Sequence, residues 1–218
     1  MSLSANLANV RARIELATRT AGRDPGSVRL LAVSKRQPVE AVREAYALGQ
    51  RDFGENYVQE LVAKFEGTRD LPDIRFHLIG HLQTNKVKPV VATCASVQTV
   101  DSIRLAEALA RAASAPIDVH LQVNVAREAQ KSGCEVEELP ALVASVRASP
   151  MLSLRGLMTV PPAGDPESAR PHFRALRELA RELGLDDLSM GMTADLEVAV
   201  AEGATVVRVG TAIFGERA

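Results

Sequence analysis

Lys35 is the residue whose type and placement offer the most reactive chemistry. It closes the apolar run Leu31-Ala-Val-Ser-Lys35, which would set its amine at a strand end with part of its water removed. A partly desolvated amine is a competent nucleophile toward aldehydes. The same placement also suits an ordinary lysine whose stem lies on apolar surface while its head reaches solvent, so position alone assigns nothing. A second signal lies in the last two apolar runs. Ser189-Met-Gly-Met-Thr193 leads directly into a helical stretch near Ala194, and Arg208-Val-Gly-Thr211 leads into Ala212-Ile-Phe-Gly215. Gly191 and Gly210 permit close backbone approach, and Thr193 and Thr211 add hydroxyl donors; such features at helix N-termini hold phosphate. Either turn alone is equally an ordinary tight turn. An aldehyde-reactive amine across a barrel mouth from a phosphate site fits two chemistries. One is a class I aldolase acting on a phosphorylated sugar; the other is pyridoxal 5′-phosphate (PLP), which carries an aldehyde and a phosphate on one ring.

These residues need a frame, and the chain alternates between two periodicities. Leu3, Leu7, Val10 and Ile14 recur at helical spacing, and the helix they define is followed by Gly22 and an Asp24-Pro25 turn. Eight apolar runs come next, at residues 28–34, 52–54, 74–80, 96–100, 117–125, 154–160, 188–192 and 205–209. Helical patterns separate them at 38–48, 56–65, 102–113 (with Asp101 as N-cap), 136–147, 167–183 and 194–201. Runs that are apolar almost throughout suit parallel strands covered on both faces. The alternation predicts an α/β fold, a (β/α)8 TIM barrel with an additional N-terminal helix; a doubly wound open sheet is the alternative. In a barrel the chemistry gathers at strand C-termini, and polar residues do collect there: Lys35, Asn56, His81, Asp101, Asn124 and Thr159. No linker, composition break or repeat divides residues 1–218, so one domain is expected.

Composition narrows the function classes. With 26 basic and 27 acidic residues, 3% aromatics and no Trp, the chain has neither the charge nor the stacking surfaces for nucleic-acid binding. No run approaches the length of a membrane span, and charges interrupt the first twenty residues; a cytoplasmic protein is expected. Cys94 and Cys134 form no framework and are expected as free thiols. His77 and His81 straddle a strand end containing Gly80, a poor geometry for a metal pair, and His120 and His172 lack partners at ligand spacing.

Five separated segments, LLAVSK (30–35), FGENYVQE (53–60), HLIGHLQTNK (77–86), GLMTV (156–160) and LSMGMTADLEVAVAEGATVVRVGTAIFGER (188–217), together resemble the pyridoxal phosphate homeostasis protein family. That family is similar to the N-terminal barrel domain of alanine racemase. The resemblance implies that Lys35 holds PLP as a Schiff base and that Thr193, Gly210 and Thr211 hold its phosphate, with Ser189 and Met192 beside it. It places Arg208 toward the pyridine nitrogen and has Asn56, His81 and Met158 line the pocket. Members commonly carry Ser where this chain has Thr193; the hydroxyl is kept.

The resemblance also separates a carrier from an enzyme. PLP is a strong electron sink when an acid keeps its ring nitrogen protonated, whereas an arginine there can only donate a hydrogen bond. Racemisation further needs a base on each face of the α-carbon. In alanine racemase the second is a tyrosine from a separate domain of a partner subunit, and the sequence closes soon after its eighth apolar run. Tyr57, next to Asn56, is the tyrosine nearest the expected pocket. The expectation is therefore a monomeric PLP carrier that maintains vitamin B6 homeostasis and supplies apo forms of PLP-dependent enzymes, with a low-activity amino-acid racemase as the alternative.

Overall fold

In the computed structural model, which describes residues 2–128 and 132–215, the alternation closes into a barrel. Its strands are β1 (Arg29–Val33), β2 (Asp52–Glu55), β3 (Arg75–Leu78), β4 (Ser96–Val100), β5 (Ile117–Gln122), β6 (Leu152–Met158), β7 (Asp187–Ser189) and β8 (Val206–Val209). Each pairs in parallel with its neighbour in sequence. β8 then closes on β1, with Leu30 beside Val207 and Leu31 beside Arg208. Every residue of β2, β4 and β8 is buried, which is why these strands show no alternation of apolar and polar residues.

The helices are α1 (Leu3–Thr20), α2 (Val39–Ala47), α3 (Val58–Glu66), α4 (Val87–Thr93), α5 (Ile103–Ala112), α6 (Leu139–Arg147), α7 (Arg170–Glu182), α8 (Leu196–Ala201) and α9 (Thr211–Phe214). α1 precedes the barrel and buries Leu7, Val10, Ile14 and Ala17. After it the chain turns through Gly22 at a φ of 66°, which suits glycine because no Cβ crowds the left-handed region. Two local expectations are corrected, and one helix is added. The cap of α5 is Ser102, whose hydroxyl accepts the Leu105 N–H at 3.3 Å, not Asp101. α8 begins at Leu196 rather than Ala194, because residues 193–195 form a turn. α4 was not anticipated at all: it is seven residues long and buries Val87 and Val90, too short to establish a periodicity.

The barrel interior is polar along much of its length. Ser189 Oγ on β7 donates to Gln98 Oε1 on β4 at 2.7 Å, a bond between strands that are not neighbours and therefore one that crosses the interior. At the N-terminal end of the barrel, Asp52 accepts from Arg75 at 2.8 and 2.7 Å and pairs with His77 Nε2 at 2.9 Å. His77 Nδ1 meets Ser96 Oγ at 2.7 Å. A second group joins Asp187 to Arg29 at 3.0 Å and to the Thr205 hydroxyl at 2.9 Å. Burial pushes Asp187 up, but His120, Thr205 and Arg29 outweigh it and hold the carboxyl at about 2.

Candidate functional site

One cavity of about 380 Å³ opens at the C-terminal end of the strands, lined by Lys35, Gln37, Asn56, Met192, Thr193, Ala194, Arg208, Gly210 and Thr211, with Val33, Ile79, Val160 and Phe214 as apolar walls and Gly215 at the edge. Its size and mixed lining are those of a small-ligand site.

Lys35 projects from the turn between β1 and α2, and both flanking residues are fixed. On one side, Ser34 donates its hydroxyl to Glu55 Oε1 at 2.6 Å, while its carbonyl accepts from Lys64 Nζ at 2.6 Å. On the other, the Arg36 N–H donates to Glu60 Oε2 at 2.6 Å, with Arg36 at a φ of 60°. Lys64, from α3, bridges Glu55 at 2.8 Å and Glu60 at 3.2 Å. Burial pushes the Glu55 carboxyl up, partly offset by Lys64 and Ser34. The two lysines thus differ in kind. Lys64 is buried and ion-paired, whereas Lys35 belongs to no ion pair among the described residues and keeps its amine available to the cavity.

The donor side is built after β7 and β8. Gly191 adopts a φ of 92°, and a Cβ there would lie 2.4 Å from the Ala199 Cβ, so the chain can turn this tightly against α8 only with glycine. Asp195 then accepts the Met192 N–H and closes the turn that presents Thr193 and Ala194. After β8, a Cβ on Gly210 would come within 3.0 Å of the Val33 carbonyl. That contact revises the expected geometry. Closure of β8 on β1 makes the Gly210–Thr211 loop the next-door neighbour of Lys35's strand, not its counterpart across the mouth.

Arg208 reaches the cavity from inside the barrel. Its Nη1 donates to Ser189 Oγ at 2.8 Å and its Nη2 to the Thr159 carbonyl at 2.8 Å. Burial lowers its pKa to about 10, which leaves it charged at neutral pH. Ser189 and Met158 are fully buried and do not line the cavity: Ser189 is the strut that orients Arg208, and Met158 is the register partner of Ser189 on β6. His81 stands on a neighbouring cleft with Asp101, Ser102 and Arg104, its Nδ1 3.9 Å from Asp101. Tyr57 lies outside the cavity, its hydroxyl accepting from Arg36 at 3.3 Å. The lining residues Gln37, Ile79, Val160, Phe214 and Gly215 were not singled out from sequence. All but Gln37 lie inside the segments that carried the resemblance, and the remainder of the last segment, Glu216 and Arg217, lies outside the described residues. Both thiols are pushed up to about 12 by burial and are poor nucleophiles. No cluster of three His, Cys, Asp or Glu side chains suited to a metal is found among the described residues.

The arrangement offers an amine, a set of hydroxyl and backbone donors, a fixed guanidinium and apolar walls, which together suit a small ligand with an aldehyde and an anionic end. Comparisons with known proteins agree. The family model for the alanine racemase N-terminal domain matches residues 5–218. A protein of Pseudomonas aeruginosa named pyridoxal phosphate homeostasis protein is 50% identical, covering 99% of this chain and 96% of its own. The chain belongs to the pyridoxal phosphate homeostasis protein family. Another member, from Aquifex aeolicus, is 43% identical over 100% of this chain and 99% of its own. Among solved structures, PipY of Synechococcus elongatus with PLP bound superposes with a TM-score of 0.86 at 39% identity, covering 98% of this chain and all of PipY. An alanine racemase of Corynebacterium glutamicum matches 97% of this chain and 62% of its own with a TM-score of 0.72 at 19% identity, and shows a shared fold.

Proposed function

We propose that this chain binds PLP reversibly through Lys35 Nζ and serves PLP homeostasis by holding and releasing it, without turning over a substrate. The observation that carries this reading is the joint presence of Lys35, the Thr193 and Thr211 loops and Arg208 around one cavity. The residues fit the group. Asn56 Oδ1 is buried beside the cavity with no hydrogen-bond partner among the described residues, an acceptor that a ring hydroxyl would satisfy. Thr193, Thr211 and the backbone of the two loops would hold the phosphate, and Val33, Ile79 and Phe214 would cover the ring faces.

Bound PLP supplies an aldehyde that condenses with amines and a ring that can accept electrons from a carbanion. The residues of this chain favour the first property over the second. Arg208 stays charged and donates only, so it cannot protonate a ring nitrogen placed against it, and electron withdrawal by the ring stays weak. Tyr57 is engaged by Arg36 rather than directed into the cavity. The same reading has residues 1–218 as one domain, monomeric and cytoplasmic, passing PLP to apo forms of PLP-dependent enzymes. A transfer assay tests it: protein loaded with PLP, freed of excess ligand and mixed with an apo-aminotransferase should restore that enzyme's activity while leaving L-alanine unracemised. Racemisation at an enzymatic rate, or no restored activity, contradicts the proposal.

A further inference from the structure

We propose that Arg13, on the N-terminal helix outside the barrel, is a positioning residue that sets the grip on the phosphate end of the ligand. The inference rests on the reading of this cavity as a PLP site. The Arg13 guanidinium makes a two-pronged pair with Glu197 in the first turn of α8, Nε to Oε1 at 2.8 Å and Nη2 to Oε2 at 3.0 Å. Its Nη2 also donates to the Thr193 carbonyl at 3.0 Å. A trans peptide is planar, with its C=O and N–H pointing in opposite directions. With the Thr193 carbonyl drawn outward to α1, the N–H of the same peptide, that of Ala194, points inward, and Ala194 lines the cavity. No backbone hydrogen bond among the described residues uses that N–H. Arg13 therefore holds one donor aimed at an anion and keeps a carbonyl oxygen, which would repel the anion, facing away.

The rest of α1 is anchored in the same sense. Asn6 Nδ2 donates to the Ile213 carbonyl of α9 at 3.0 Å. Beyond the helix, Arg23 Nη1 donates to the carbonyls of Val200 and Ala204 at 3.0 and 2.7 Å. α1 and the turn after it thus splint the two short helices that follow the phosphate loops, and Arg13 is the member that touches the loop itself.

The test compares PLP with pyridoxal, which has the same ring and aldehyde but no phosphate. Arg13→Met should raise the PLP dissociation constant about tenfold, the loss expected for one donor to a charged group, and leave that for pyridoxal within about twofold. Inorganic phosphate should compete less well against PLP in the variant than in the wild type. Equal shifts for the two ligands, or none for either, overturn the inference, since a general loosening of the fold would not distinguish them. If Arg13→Met does not fold, Arg13→Lys decides: a ratio of the two constants lying above the wild-type value supports the assignment, and an unchanged ratio sinks it. Wild-type protein that fails to attach PLP at Lys35 would refute the function itself, whereas an unchanged ratio in protein that does attach PLP refutes only the role of Arg13.

Discussion

The two ends of the barrel are built from the same strands but use their polar groups differently. At the N-terminal end, Asp52, Arg75, His77 and Ser96 satisfy one another, and Asp187 is held by Arg29 and Thr205. The void there is about 10 Å³, room for a single water at most. At the C-terminal end a cavity of about 380 Å³ is lined by Lys35, Asn56 and Thr193, and Asn56 Oδ1 has no partner among the described residues. At the base the polar groups are drawn into ion pairs and hydrogen bonds around Asp52 and Asp187, with only the ring nitrogens of buried His120 left without a hydrogen bond among these groups; at the mouth the uncommitted groups line a space able to receive a ligand. The buried Glu55–Lys64 pair shows the second rule meeting the first. It pairs Glu55 Oε1 with Lys64 and the Ser34 hydroxyl inside the protein and thereby fixes the turn on which an uncommitted lysine stands.

The comparison can be broken most sharply at the base. Asp52→Ala removes the acceptor shared by exposed Arg75 and buried His77, and a loss of roughly 2–3 kcal/mol is expected, chiefly from leaving buried His77 without its charged partner. Urea unfolding should record that loss, while PLP affinity of the folded variant stays close to wild type. A large loss of PLP affinity with little change in unfolding would mean that the division of labour between the ends is wrong.

A smaller effect sharpens it. His120 is buried in the barrel, 3.5 Å from Asp187, and burial lowers its pKa below the ordinary 6.5. The sign follows from linkage: as pH falls below 6.5 the unfolded chain takes up a proton that the folded chain resists, so stability declines on the acid side. Asp187, held at about 2 against an ordinary 3.8, adds a second loss in the same direction as pH falls from 3.8 toward 2. Glu55, raised by burial, works the other way: its contribution weakens as pH rises through 4.5 and above. Between pH 7 and pH 5 the urea midpoint of the wild type should therefore lose more, or gain less, than that of His120→Gln. Identical pH dependence in the two proteins would remove His120 from the account.

Much of this frame is legible in the residues themselves. Strands buried on both faces leave long apolar runs, and their polar terminators fall at one end of the barrel, so Lys35, Asn56, Thr193 and Thr211 could be read as neighbours. The legible features are those with a local signature: a glycine that must turn, a lysine that ends an apolar run. What escaped depends on distant partners. Lys64 looks like a solvated helix charge until α3 lays it against Glu55 and the Ser34 carbonyl. Arg13 looks like any exposed helix residue, because the carbonyl it holds is 180 positions away. His81 sits in a polar segment at a strand end, but its backbone turns it toward Asp101 and away from the Lys35 cavity. α4 was missed because two buried valines do not make a period.

The central claim is that the amine available to the cavity, Lys35, is where PLP is held. Wild-type protein should be incubated with stoichiometric PLP, reduced with borohydride, digested and mapped by mass spectrometry. The account expects the reduced pyridoxyl group on the peptide containing Lys35. A group found instead on other lysines, or no stable modification despite PLP binding, would contradict it.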